Sequence, residues 1–155
     1  VLRLVLLLVV VMAAAAVRAG AAPEREATAV VRECYAHHFA TDMALTEASV
    51  RAKAPWLSAD LLAACLAYLA RPSPPDEVPS IDGDPFTDSQ DYPRSFRVGR
   101  ATLDGATGRV PVTLTWSRER RRVVAVVALV DGSWRITDLE YPDGRTLSAM
   151  LAAPK

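Results

Sequence analysis

The chain predicts an α+β fold: three N-terminal helices packed on a four-stranded antiparallel sheet. Two observations carry this. Between Glu24 and Ala70 apolar residues recur at helical spacings, and between Phe96 and Tyr141 four β-type segments follow one another with short turns. A third observation ranks the strands. The segment Val110 to Trp116 alternates apolar with polar, as a half-buried strand does, whereas Val123 to Val130 is apolar on both faces and belongs at the centre of the sheet. Asp131-Gly132 then supplies the positive backbone angles of a tight hairpin turn.

At 155 residues and 51% apolar composition the chain fits one domain with an ordinary core. Part of that apolar share belongs to an address signal. Arg3 is followed by the fourteen uncharged residues Leu4 to Val17, the length of a leader's hydrophobic region of roughly 7–15 residues, whereas a membrane span needs about 20. Ala19-Gly20-Ala21 places small residues where a leader peptidase reads, so residues 1–21 are expected to be a signal peptide and 22–155 a single exported domain, periplasmic or secreted. The alternative is a segment left uncleaved as an anchor. Once processed, the chain carries no further candidate span.

Export changes the reading of Cys34 and Cys65, because an oxidising compartment favours pairing of an even number of cysteines. A bridge between them would close a loop worth roughly 3–4 kcal/mol on the chain-entropy account; the other reading is two buried thiols. Charge is uneven: residues 22–91 carry −7 and residues 92–155 carry +5, so the helical half is acidic and the sheet half basic. That asymmetry describes either two partner faces or two halves that attract each other.

The first helix runs from Glu24 to Ala40, with Ala27, Val30, Val31, Cys34, Tyr35, His38 and Phe39 on one face. Thr46 caps a short second helix from Glu47 to about Lys53, which Pro55 stops. Ser58 caps a third from Ala59 to Ala70, whose stripe is Leu61, Leu62, Cys65, Leu66 and Leu69, and Pro72, Pro74 and Pro75 end it. Residues 71–93 hold six prolines and six acids with no periodicity, and read as an ordered functional loop pinned by Val78, Ile81, Phe86 and Tyr92. In the meander, Phe96 and Val98 begin the first strand, which runs to the turn at Asp104-Gly105. Pro111 cannot donate to a ladder and must face an edge or bulge. Trp134 and Ile136 share a parity that Leu139 and Tyr141 break, which predicts a bulge near Thr137 and Asp138. A last helical piece spans Thr146 to Ala152.

Four stretches carry a family resemblance: Cys34-Tyr35, Leu57-Ser58-Ala59-Asp60-Leu61-Leu62, the loop Asp84-Pro85-Phe86-Thr87-Asp88-Ser89-Gln90-Asp91, and Gly132-Ser133-Trp134-Arg135-Ile136. With helices first and a curved sheet after them, the chain resembles the nuclear transport factor 2-like (cystatin-like cone) superfamily. Within it, the chain looks like a family of exported bacterial domains of unknown function, over roughly Ala27 to Leu151. The resemblance implies a pocket between the long helix and the concave sheet. Its members include isomerases, dehydratases, binding modules and dimers formed through the sheet, and it brings no catalytic residues with it.

The residues themselves offer three constellations. His38 and Tyr35 with Asp138 could converge in the cone as an acid–base group, since an imidazole held by a carboxylate works near neutral pH; the alternative is a hydrogen-bonded core histidine. Asp82, Asp84, Asp88 and Asp91 could hold calcium, although Phe86 occupies a position needing oxygen and no Glu closes the loop. Arg118, Arg120, Arg121 and Arg122, with Asp84, Phe86 and Asp91 of the loop, are candidates for contact with a partner. No cofactor is expected, and export with a mature charge of −2 argues against nucleic acid. The leading expectation is an exported, non-enzymatic binding or accessory domain for a protein or small ligand. A toxin-neutralising or envelope-accessory role fits such a domain, though no residue points to either. The alternatives are a small isomerase or hydrolyase using His38 and Asp138, and a structural homodimer through the sheet.

Overall fold

The computed structural model describes residues 22–41, 43–72 and 79–153. The expected leader and the 73–78 part of the proline-rich loop, with Val78, lie outside them. The architecture is α+β, with helices against an open antiparallel sheet. Helix α1 spans residues 22–40, followed by α2 (Glu47–Ala52) and α3 (Ala59–Ala70). The strands are β1 (Ser95–Val98), β2 (Thr102–Asp104), β3 (Thr107–Thr115), β4 (Arg120–Val130) and β5 (Ser133–Glu140), and α4 (Leu147–Ala152) closes the chain.

Local chemistry sets the helix starts. At α2 a reciprocal box forms: Thr46 Oγ1 accepts from the Ser49 amide and Ser49 Oγ accepts from the Thr46 amide, both at 3.1 Å. Ser58 Oγ accepts from Leu61 N at 3.2 Å to start α3, and Thr146 Oγ1 does the same for Ala149 N at α4. Each such cap satisfies an amide that the helix leaves without an internal partner.

The sheet order is β1-β3-β4-β5, with β2 also paired to β3, which makes five strands where four were expected. The expected first strand is cut in two by Pro111. Val98 pairs with Val112 and Thr102 with Arg109, so three residues, Gly99 to Ala101, face two on β3. Pro111 has no amide to give across this gap, and its carbonyl accepts from Gly99 N at 2.8 Å instead. The expected bulge in β5 is present. Val126 pairs with Asp138 and Val127 with Ile136, leaving Thr137 as the extra residue. Asp131 (φ 49°) and Gly132 (φ 74°) make the tight turn between β4 and β5. The far edge of β5 is covered: Ile136 N donates to Trp56 O and Ser58 N donates to Ile136 O, both at 2.8 Å.

Strand alternation sorts the sheet into two faces. Val110, Val112 and Leu114 of β3, Val123, Ala125 and Val127 of β4, and Trp134, Ile136 and Leu139 of β5 all point inward and are buried. Ala27, Val31, Cys34 and Tyr35 of α1, Leu61, Cys65 and Tyr68 of α3, and Leu147 and Leu151 of α4 join them in one core. Full burial of a large apolar side chain contributes roughly 1.5–3 kcal/mol, so this cluster is the main source of stability.

Gly108 shows how tight the β2–β3 pairing is. A β-carbon there would lie 2.8 Å from the Thr102 carbonyl oxygen and would overlap the Leu103 side chain. Gly108→Ala is expected to destabilise the fold by roughly 1–3 kcal/mol, as overpacking does, while Gly105→Ala, which meets no atom but sits at φ 58°, is expected to cost about 1 kcal/mol from backbone strain alone. Urea titration of both variants measures the difference.

Candidate functional site

The chemistry-bearing residues converge on the loop that follows α3. Gly83 (φ 108°) and Asp88 (φ 51°) turn the backbone at either end of a short bridge in which Asp84 pairs with Ser89. Asp84 Oδ1 accepts from the Phe86 amide at 3.0 Å, a side chain bonding its own backbone two residues on. Its other oxygen accepts from Thr87 Oγ1 at 2.7 Å and lies 2.8 Å from His38 Nε2 of α1. His38 and Asp84 are both buried, with side chains 1% and 2% exposed.

Three tyrosine hydroxyls hold the same loop from three elements. Tyr35 of α1 donates to Phe86 O at 2.8 Å, and Tyr141, just after β5, donates to Pro85 O at 3.0 Å. Tyr68 of α3 accepts from the Ile81 amide at 3.1 Å. Phe86 itself is 2% exposed, with its ring 5.0 Å from that of His38 and 5.0 Å from the Lys53 ammonium. Lys53 is also buried and donates from Nζ to Ser49 O at 3.0 Å.

This arrangement redistributes the residues singled out from the sequence. His38 meets Asp84, not Asp138: Asp138 Oδ1 accepts from the amides of Leu139 and Ser148, at 2.8 and 2.9 Å, and so is occupied by the backbone at the start of α4. Tyr35 lies in the core with its hydroxyl committed to the loop. Where an open pocket was expected, Tyr35, Trp134 and Ile136 are buried in the core cluster. Among the described residues, one open hollow of about 570 Å³ lies between α1 and the Gly99–Arg100 break, and another of about 300 Å³ lies beside Tyr68, Ile81 and Asp84. Neither is lined by His38, Tyr35 or Asp138.

The four acids do not assemble as a calcium site. Asp82 bonds Gln90 at 2.5 Å, Asp84 is engaged as described, and Asp88 pairs with Arg145 at 3.0 Å and Arg121 at 3.5 Å. Asp91 is exposed, its carbonyl accepting from Trp116 Nε1 at 2.9 Å. Among the described residues no group of three or more His, Cys, Asp or Glu could hold a metal ion. The partner candidates divide too. Asp84 and Phe86 are buried, and Arg121 points inward, its guanidinium between Asp88, Glu119 and the Trp116 ring. Arg118, Arg120, Arg122 and Asp91 remain exposed. Of the loop's expected anchors, Ile81 and Phe86 are buried, while Tyr92 is 54% exposed.

The expected disulfide is absent: Cys34 and Cys65 are separate, buried thiols. Burial pushes Cys34 up to about 12 and Cys65 up to about 11 from 9.0, against a weaker opposing pull from Lys53. Disulfide chemistry runs through the thiolate, which burial withholds. The Asp84–His38 pairing was missed because 46 residues separate the two positions, although Asp-Pro-Phe-Thr is a legible signal for a side-chain-closed turn.

No family model matches the chain, and no curated protein matches it. Two solved structures do. The chain is similar to a chain in a crystal structure of the type VI effector–immunity complex Tae3–Tai3 from Ralstonia pickettii, determined with selenomethionine, at 22% identity and a TM-score of 0.57, covering 75% of this chain and 96% of that one. The native form of the same complex gives 23% identity and a TM-score of 0.53, with 76% and 94% covered. At this identity the likeness is one of fold.

Two outcomes test the site. Asp84→Ala leaves three buried donors without their acceptor and is expected to cost roughly 3 kcal/mol or more, with faster amide exchange over residues 79–93 than in the wild type. Alkaline pH should also loosen the fold. Burial raises Tyr35 and Tyr141 above 10.0 as it raises the two thiols above 9.0. The unfolded chain therefore ionises first, so these groups leave stability unchanged below pH 9 and reduce it as pH climbs toward 11–12. Urea midpoints at pH 8, 10 and 11 are expected to fall in that order.

Proposed function

We propose that this chain is an exported protein-binding domain of the effector–immunity kind, standing on the immunity side: it engages a partner protein through its surface and performs no chemistry on it. The filled interior carries the proposal. Tyr35, His38 and Asp138 are committed to holding the fold, and Tyr35, Phe86, Trp134 and Ile136 belong to one buried cluster. What remains available to a partner is the outside of the molecule.

The side of the partnership follows from the nucleophiles. The chain has two cysteines and two histidines, and Cys34, Cys65 and His38 are each at most 1% exposed. With both thiols held protonated and the His38–Asp84 pair sealed, the chain is suited to bind and not to attack. The fold-level likeness to a Tae3–Tai3 structure supports a protein partner, and the leader read at residues 1–21 supports a periplasmic or secreted site of action. The helices-then-sheet order is compatible with the nuclear transport factor 2-like resemblance, which stays part of this reading.

Expression in a bacterial host directed to the periplasm separates the two sides. The chain alone should leave growth unaffected, and together with its cognate type VI effector it should restore growth and co-elute with that effector through gel filtration. Toxicity of the exported chain by itself would place it on the effector side instead.

A further inference from the structure

The strand β4 is patterned for burial on both faces but is covered on one. Its inward residues lie under the helices, while Val124, Val126 and Val130 point the other way, where a solvated strand would carry polar groups. None of the residues that strand alternation places on this outer face is buried, from Ser95 and Arg97 on β1 to Arg135 and Glu140 on β5. No described element covers it.

Charge marks one end of the same face. The register aligns Arg97, Thr113 and Arg122 in one row across three strands, and Arg120 lies in the next row beside Thr115. Two strand spacings put the Arg97 and Arg122 backbones about 10 Å apart, and two residues along β4 put Arg120 about 7 Å from Arg122. All three arginines are exposed, and among the described residues none of them makes an ion pair. The acids of the face are already engaged. Glu140 is held by Arg109 at 2.8 Å and Asp138 by two backbone amides, which leaves Asp104.

We infer that the outer face of the sheet is the docking surface, and that its occupant is a partner protein presenting an apolar patch rimmed by carboxylates. This rests on the protein-binding reading above and adds where the partner sits and what it offers. A second copy of the chain is a poorer match, since among the described residues the face offers one unpaired carboxylate, Asp104, against three unpaired arginines. The size is adequate: eleven residues of β4 and four strand widths give roughly 35 Å by 20 Å, close to the ~800 Å² per partner of a standard interface.

The test is site-specific photocrosslinking in cells that make the protein, with the photoreactive residue at Thr113 or Val126 on this face and at Arg32 or Asp60 on the helices as comparison. The expected result is an adduct with one acidic protein at the two sheet positions alone. The purified partner should bind the R97E/R122E variant about tenfold more weakly than the wild type, and binding should weaken as salt is raised, with the thermal midpoint of the chain unchanged. Adducts confined to Arg32 or Asp60 would overturn the location while leaving a protein-binding function intact. An adduct of the chain with itself, or with a lipid or glycan, at the sheet positions would overturn the choice of occupant. No adduct at any of the four positions would count against the binding function itself.

Discussion

The Asp84 carboxylate is the constraint on which the rest of the structure turns. A carboxyl group withdrawn from water is costly unless its oxygens are satisfied, and here three donors do so: an imidazole from α1, a backbone amide and a hydroxyl from its own loop. The same three bonds draw the loop down onto the end of the core, with Phe86 inserted beneath it. Tyr35, Tyr68 and Tyr141 then secure the loop's backbone from α1, α3 and the end of β5. The stretch from Ile81 to Thr87 thereby becomes part of the fold itself.

What was legible in the sequence follows from how local each signal is. The caps at Thr46 and Ser58, the Asp131-Gly132 turn and the Thr137 bulge depend on neighbours within a few residues, and all four stand in the structure. Pro111 signalled an interruption without saying on which partner it would fall, so one strand was expected where β1 and β2 are found. The pairing of His38 was not legible, because strand parity proposed Asp138 as its carboxylate while the bulge turned that residue toward α4. Helix periodicity placed Cys34 and Cys65 inward correctly, yet carried no information on whether two buried thiols meet.

The run Arg120-Arg121-Arg122 shows how a composition-level patch is resolved by geometry. Successive strand residues point to opposite faces, so Arg121 goes inward to Asp88 and the Trp116 ring while its two neighbours go outward. One arginine of the three therefore braces the loop, and two belong to the surface. The acidic and basic halves noted from the sequence do attract each other, through Asp88 with Arg121 and Arg145 and through Glu24 with Arg100 at 2.8 Å, but this leaves much of the positive charge on the sheet uncompensated.

The short stretch around Leu57 has a consequence for association. A sheet is exposed to growth wherever a strand presents unpaired amides and carbonyls along its side, and β5 would be such a margin. By bonding both polar groups of Ile136, residues 56 to 58 occupy the middle of that margin with the chain's own backbone. The opposite margin is broken at Gly99 to Ala101 into two strands of four and three residues, too short and too uneven to template another chain. Addition of strands side by side is thus discouraged at both limits of the sheet. The apolar surface of the sheet is thereby kept to a broad face, where contact demands matching shape and charge and not merely a free backbone.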